Sequence, residues 1–173
     1  MSLFQQTVNA LFVFLIFTAL VWIRRIFVVN QIRHACPPLR PLRRTSSDKL
    51  PKISIIVPAK NEEQNIEKCL CHLFKQSLPD FELIVVNDRS TDRTAEILTR
   101  LKAESPVAFK IITIEKLPPG WTGKNYAMFT GSRAADGAWI LFTDADTTHE
   151  PSSALTALET ALEKKNRSLN AVS

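Results

Sequence analysis

Glycine is scarce in this 173-residue chain, which has four: Gly120, Gly123, Gly131 and Gly137. No GxGxxG follows an apolar run, so a dinucleotide-binding turn built on three glycines is excluded. No GxxxxGK[ST] is present, which excludes a P-loop phosphate cradle. Cysteine is also sparse. Cys36, Cys69 and Cys71 form no CxxC, and an odd count is a poor disulfide framework, so the chain suits a reducing compartment. Cys71 and His72 are adjacent, as half of a metal or nucleophile site would be. Cys69 and Leu73, however, share one face of a helical pattern, and the thiol there reads as buried.

Charge is missing altogether from residues 1–23. With Thr18 as the one interruption of its apolar second half, this run is long enough for one membrane-spanning helix, although Gln5, Gln6 and Asn9 weaken its start. A secretory signal would carry a basic n-region and a small-residue cleavage site. Instead Arg24 and Arg25 follow the apolar run directly, which favours an uncleaved anchor. Residues 24–52 carry eight basic side chains (Arg24, Arg25, Arg33, Arg40, Arg43, Arg44, Lys49, Lys52) against Asp48, a net of +7. The chain totals +5, so the remainder is slightly acidic and the basicity belongs to the segment after the anchor. The positive-inside rule places that segment and the folded body on the cytoplasmic side of a single-pass membrane protein. The basic segment is expected to lie along an anionic leaflet. Phe27 is the one Phe, Trp or Tyr among its charges, too few for the aromatic interleaving of a nucleic-acid arm.

Pro37, Pro38, Pro41 and Pro51 punctuate this segment, which reads as an extended linker. The organisation expected is an anchor over 1–23, a linker over 24–52 and a folded body over 53–173. In the body, apolar β-branched runs predict strands at 53–57, 81–86, 109–114 and 139–143. Helical periodicity predicts a helix capped by Asn61, with Ile66, Cys69, Leu70, Leu73 and Phe74 inward. A second helix, capped by Ser90 or Thr91, turns Ile97, Leu98 and Leu101 inward. A third runs over 124–135, and a fourth, opened by Pro151, aligns Leu155, Leu158 and Leu162. Strand–helix alternation of this pitch implies βαβ units and a parallel sheet covered by helices. Ligands of such sheets bind outside the carboxyl ends of the strands. Three acid-bearing clusters fall there: Ala59-Lys60-Asn61-Glu62, Asn87-Asp88-Arg89-Ser90 and Asp144-Ala145-Asp146.

The last cluster closes the run Trp139-Ile140-Leu141-Phe142-Thr143. In an extended segment, side chains at i and i+2 point the same way, so Asp144 and Asp146 can converge. Two carboxylates ~4 Å apart repel by ~4 kcal/mol at an effective dielectric of ~20, so a positive partner is expected between them. A hard divalent cation that keeps positions open for phosphate oxygens fits. The alternative is a solvated acidic turn. The pattern DxDxT at 144–148 also matches the haloacid-dehalogenase-type phosphatases, but their motif follows the first strand of the domain and this one follows the fourth.

Taken in order, the clusters resemble the family-2 glycosyltransferases of the GT-A fold, over residues 53–173. The stretch ISIIVPAKNE (53–62) resembles that family's first strand and Asn-Glu turn. IVVNDRSTD (84–92) is similar to its second strand and nucleobase-contacting Asp, which falls on Asp88. Gly123-Lys124-Asn125-Tyr126-Ala127, with Gly131 and Ala134, resembles the Gly-Lys-x-x-Ala helix beneath the donor. FTDAD (142–146) resembles the DxD strand. LPPGWTGK (117–124), with His149 and Pro151 after the acids, looks most like the hopanoid-associated and carotenoid glycosyltransferases.

The resemblance implies an α/β fold, the Rossmann-like GT-A half that binds a nucleotide sugar, with a mostly parallel sheet behind one N-terminal transmembrane helix. It implies transfer of a sugar from a nucleotide-sugar donor, UDP-sugar favoured, to a lipid or polyisoprenoid acceptor by a metal-assisted inverting mechanism. Pro58, Ala59, Asn61, Glu62, Asp88, Lys124 and Asp144 are the donor-binding candidates. Asp146, with Asp144, is the candidate ligand of Mg²⁺ or Mn²⁺, which would act as Lewis acid on the departing diphosphate. Lys124, near a helix N-terminus, would add positive charge there, or be a solvated helix-start lysine. Asp88 would accept from a uracil N–H, cap the second helix, or both. Glu62 is a cap of its own helix on the simplest view. His149 reads as a polar loop residue rather than a metal ligand, and Trp121 as a packed aromatic or an acceptor or interface contact.

An inverting transfer needs a general base. In the resembled family that base lies well downstream of the DxD, before a Q/RxxRW-type segment, and the chain contains no such segment. Residues 168–173 (SLNAVS) read as the start of another strand. The expectation is an N-terminal portion that binds a donor without turning it over. A non-catalytic anchored paralogue or subunit is the alternative.

Overall fold

A computed structural model of the chain describes residues 3–35 and 50–170. The chain divides into two units, Met1–Arg40 and Pro41–Ser173. The first holds one helix, α1 (Leu3–Ala35). Its stretch Leu11–Val28 has a mean hydropathy of 2.2 and none of it is buried in protein. By length and composition it is sufficient to cross a membrane. The one polar hydroxyl in its apolar half, that of Thr18, donates to the Leu15 carbonyl at 2.9 Å, so that hydroxyl is satisfied within the helix. Arg25 lays its guanidinium over the Trp22 ring at 5.4 Å.

The expected break after residue 23 does not occur, because α1 continues through both arginines to Ala35. No proline or glycine lies between residues 24 and 35, and arginine is a good helix former, so charge alone does not end a helix. The extended linker expected from residue 24 is therefore helical over its first part. Residues 36–49, with Cys36 and the basic cluster Arg40, Arg43, Arg44 and Lys49, lie outside the described residues.

The second unit alternates strand and helix: β1 (Ile53–Ala59), α2 (Ile66–Leu73), β2 (Phe81–Asp88), α3 (Thr94–Ala103), β3 (Ala108–Ile114), α4 (Gly123–Arg133), β4 (Trp139–Phe142) and α5 (Ser153–Asn170). The sheet is parallel throughout, in the order β3-β2-β1-β4. The chain winds outward from β1 to β3 and then returns to the far side of β1 as β4. That reversal between β1 and β4 is a topological switch point, where the flanking connections diverge and leave a crevice at the carboxyl ends.

Alternation along β1 sends residues to two cores. Ile53, Ile55, Val57 and Ala59 pack with Ile66, Cys69, Leu70 and Leu73 of α2, Leu98 and Leu101 of α3, and Ala154 and Leu158 of α5. Ile56 faces the other way, with Ile84, Val86 and Ala127 of α4. The central strands are buried on both faces, which is why they read as unbroken apolar runs. Strand β4 is an edge covered on the α5 side alone. Trp139 and Leu141 join the first core, whereas Ile140 and Phe142 are each 41% exposed.

Several element ends differ from the sequence expectation. Strand β1 runs through Pro58 to Ala59. Ile56 accepts from Thr143 N at 3.1 Å on the β4 side. Pro58, two residues on, faces that same side after β4 has ended, so its missing N–H breaks no ladder bond. Strand β2 extends to Asp88, paired with Ile114 of β3. Asn61 does not cap α2. It sits at φ 55, and the helix begins after Asn65, which makes no side-chain cap. Neither Ser90 nor Thr91 caps α3. Asp92 does so in effect, accepting from Thr94 N at 3.0 Å and Thr94 Oγ1 at 2.6 Å. Residues 168–170 belong to α5, which the Leu155–Leu158–Leu162 stripe anchors and which runs to Asn170, and not to a fifth strand; 171–173 lie outside the described residues.

Candidate functional site

The carboxyl edge of the sheet opens into a cavity of about 600 Å³. Strand β1 and its loop contribute Pro58, Ala59, Lys60 and Glu62; the end of β2 contributes Asp88 and Arg89. Leu117 comes from the loop after β3, and Gly123, Lys124 and Ala127 from the start of α4. The turn after β4 contributes Asp144, Ala145 and Asp146. Of the candidates read from the sequence, Pro58, Ala59, Glu62, Asp88, Lys124, Asp144 and Asp146 come together here, and Asn61 does not.

Asn61 instead ties the first two loops to each other. Its side-chain oxygen accepts from Thr91 N at 2.8 Å, and its own N–H donates to Ser90 Oγ at 3.0 Å. Glu62 N donates to Thr94 Oγ1 at 2.8 Å and Glu63 N to Asp92 Oδ2 at 3.1 Å. The Glu62 side chain accepts from Asn65 Nδ2 at 3.0 Å, a bond within its own loop rather than the helix cap expected of it. Burial opposes ionisation of Asp92, but the donors from Thr94 and Glu63 outweigh it and hold the carboxyl below the usual range. Both loops leave the sheet through left-handed residues, Asn61 at φ 55 and Arg89 at φ 54. Such conformations cost roughly 1–2 kcal/mol for a non-glycine residue and persist where surrounding bonds dictate them.

Asp88 is buried to 3% exposure at the end of β2. It caps no helix: Arg89 Nε and Nη2 grip its two oxygens at 2.7 and 3.1 Å. That grip pushes the guanidinium pKa further up. Gly123 closes over the same carboxylate, and a Cβ there would collide with Asp88 Oδ2. Arg89 is a site residue that sequence reasoning missed. Its signal was adjacency, a basic residue directly after an acid predicted at a strand's carboxyl end.

At the switch point, regular extension stops at Phe142, and Thr147 N closes a turn on the Asp144 carbonyl at 3.3 Å. The alternation expected of Asp144 and Asp146 thus comes from a turn and not from a strand. The pattern still holds, because Ala145 is buried while both acids are exposed. Lys124 Nζ lies 2.7 Å from Asp144 Oδ1, and this partner raises the lysine pKa. Cys69 sits beneath, with Sγ donating to the Asp144 carbonyl at 3.6 Å; burial pushes its thiol up to about 11, so little of it is thiolate near neutral pH and it is not an activated nucleophile. Among the described residues no three acidic, histidine or cysteine side chains gather to hold a metal by themselves. Two exposed carboxylates facing a cavity fit a hard cation that takes its other oxygens from a diphosphate and water.

Beside the cavity, Trp121 packs edge-on against Tyr126 and at a tilt against Phe129, at centroid distances of 5.4 and 5.1 Å. It is both packed and 40% exposed.

A parallel α/β sheet with charged loops around a crevice at its switch point is a nucleotide-binding architecture. The sequence model of glycosyl transferase family 2 matches residues 54–173, and the chain belongs to that family. It is 32% identical over 145 residues to a probable glycosyltransferase, YdaM, of Bacillus subtilis (strain 168), covering 79% of this chain and 34% of the relative. It is 34% identical over 134 residues to a 4,4'-diaponeurosporenoate glycosyltransferase of Staphylococcus aureus (strain bovine RF122 / ET3-1), covering 73% and 34%. This is the likeness to carotenoid glycosyltransferases expected from the 117–124 segment. Among solved structures, S. aureus TarS 1-349 in complex with UDP-GlcNAc aligns with a TM-score of 0.52 at 30% identity, over 65% of this chain and 31% of that one. The mannosyltransferase PcManGT from Pyrobaculum calidifontis in complex with GDP-Man and Mn²⁺ aligns with a TM-score of 0.55 at 29% identity, over 62% and 31%. The fold is that of GT-A enzymes, and the chain spans about a third of the length of these relatives.

Proposed function

We propose that this chain is the donor-binding portion of a membrane-anchored glycosyltransferase that moves a sugar from a nucleotide sugar to a lipid acceptor. The observation that carries the reading is the cavity, where Asp88, Lys124, Asp144 and Asp146 meet at the switch point of the sheet. Relatives held with UDP-GlcNAc and with GDP-Man and Mn²⁺ support a nucleotide-sugar donor and a divalent metal. The likeness to diaponeurosporenoate glycosyltransferases, with the apolar α1, supports a lipid acceptor and a membrane anchor. The Arg24–Arg25 pair after the apolar stretch supports a cytoplasmic body.

Asp88, oriented by Arg89, accepts from a base N–H; UDP is favoured. The N–H groups at the start of α4 and the Lys124 ammonium face the diphosphate. Asp144 and Asp146 hold Mg²⁺ or Mn²⁺, which when bound neutralises the leaving diphosphate. Lys124, paired with Asp144 at 2.7 Å, and Asp144 itself would both face the donor.

Calorimetric titration of the full chain with UDP-glucose, with and without Mn²⁺, tests this. Binding that tightens with Mn²⁺ supports it. Equal heats with and without the metal would exclude a metal-assisted donor site.

A further inference from the structure

The turn bearing the two acids is held from beneath by side chains that do not line the cavity. Cys69 and His72 of α2, and Gln76 just beyond it, are spaced so as to form one stripe. Each meets a carbonyl of the loop after β4: Cys69 Sγ that of Asp144 at 3.6 Å, His72 Nδ1 that of His149 at 3.0 Å, and Gln76 Nε2 that of Glu150 at 2.8 Å. A carbonyl oxygen only accepts, so His72 carries its proton on Nδ1.

Above that stripe, His149 Nε2 lies 2.8 Å from Thr143 Oγ1 and 3.0 Å from Thr147 Oγ1. The two hydroxyls are 2.9 Å apart. Thr147 commits its single hydroxyl proton to the Asp144 carbonyl at 2.7 Å. It can therefore only accept from its other neighbours. One arrangement gives every donor a partner along a single path: Nε2–H of His149 donates to Thr143, Thr143 to Thr147, and Thr147 to the Asp144 carbonyl. Burial, then the neighbouring His72, holds the His149 pKa below its usual value, in keeping with a neutral ring bearing one proton. The path is rooted in the sheet, because Thr143 N donates to the Ile56 carbonyl at 3.1 Å. The Asp144 carbonyl ends with three donors, Thr147 Oγ1, Thr147 N and Cys69 Sγ. Fixing that peptide plane fixes the turn from which both carboxylates project.

We propose that His149 is a positioning residue: through the donor path His149–Thr143–Thr147 it locks the Asp144 carbonyl and thereby aims Asp144 and Asp146 at the metal and diphosphate. This rests on the proposed role of those two acids as metal and donor ligands. Groups that orient metal ligands from behind are worth as much as a ligand's own geometry, because a carboxylate free to turn must be ordered each time the ion binds.

The test uses the full chain in detergent with Cys36 and Cys71 replaced by serine, so that Cys69 is the one thiol. His149→Phe and Thr147→Val break the path, and His149→Gln keeps an N–H donor in place of Nε2–H. Two quantities are read: the rate at which a thiol reagent modifies Cys69, and the gain in UDP affinity on adding Mn²⁺. We expect His149→Phe and Thr147→Val to speed Cys69 modification and to cut the Mn²⁺-dependent gain by ~10-fold, with metal-free UDP affinity within about twofold of the parent. His149→Gln is expected to restore both. Cys69 modified at the parent rate in both path-breaking variants overturns the proposal, as does a glutamine variant no better than phenylalanine. A parent chain with no Mn²⁺-dependent gain would instead sink the proposed role of the acids, and the Cys69 rates would still decide the lock.

Discussion

Glu82 and Asp146 stand at opposite ends of the same parallel sheet. Glu82, at the amino end of β2, is 1% exposed and both of its oxygens are engaged. Ser54 Oγ donates to it at 2.6 Å, Asp136 N at 2.7 Å and Lys110 Nζ at 2.9 Å. Gly137 N donates in turn to Ser54 Oγ at 2.8 Å, and a Cβ on Gly137 would strike the Ser54 backbone. Asp146, at the carboxyl end, is exposed beside a second acid, and Lys124 is paired with that second acid. One acid is built into the fold and the other is left facing a cavity. The difference separates a carboxylate that stabilises the protein from carboxylates left open to the cavity proposed as the donor site.

The largest expected effect breaks the amino end. Glu82→Ala orphans the Ser54 hydroxyl and the Asp136 N–H, and should cost about 3 kcal/mol of stability in urea unfolding. UDP affinity of the molecules that remain folded should not change. The same contrast has a pH signature. Burial alone would raise the Glu82 pKa, but the bonds from Ser54, Lys110 and Asp136 bring it from 4.5 to about 2. A depressed carboxylate contributes stability that is complete above its unfolded pKa and is lost as pH falls through the folded one. Stability should therefore decline between pH 4.5 and about 2, and Glu82→Gln should flatten that limb of the curve. An unaltered limb would mean that other groups govern acid unfolding.

Next comes Gly123→Ala, which drives a methyl group against the Asp88 carboxylate. Overpacking of this kind costs roughly 1–3 kcal/mol, and here it should appear as weaker nucleotide binding together with a lower melting temperature. Asn61→Ala keeps the left-handed backbone and removes the bond to Thr91 N, and should cost about 1–2 kcal/mol in thermal melts. Smallest in stability is Asp146→Ala, expected within about 0.5 kcal/mol of the parent because it removes an exposed charge and orphans no buried donor. A large loss of stability there would erase the contrast between the two ends.

The two ends were not equally legible in the sequence. The carboxyl end was readable because strand ends announce it. Apolar runs stop near Ala59, Asp88 and Thr143, and parallel topology places the loops beyond them on one edge. The way the acids are held stayed hidden. Asp88's partner is its own neighbour, but the grip depends on the left-handed turn at Arg89, which no periodicity signals. Asn61 looked like a cap because Asn before a helical stripe is the usual signature, yet its bonds go to a loop some thirty residues on. The role of Glu82 was illegible for the same reason. Its partners come from β1, β3 and the segment before β4, and a single acid in an apolar run carries no mark of them. The apolar span of α1 was legible by composition, and its end was misplaced because arginines mark the edge of an apolar stretch without ending a helix.

The central claim is that Asp144 and Asp146 form, with a bound diphosphate, the metal site that the cavity surrounds. The most direct measurement is the electron paramagnetic resonance signal of free Mn²⁺ during titration with the full chain and UDP. That signal is expected to fall when parent chain and UDP are both present, and to persist with the Asp144→Ala, Asp146→Ala double variant. A signal that falls equally with the double variant, or does not fall with the parent, would contradict the claim.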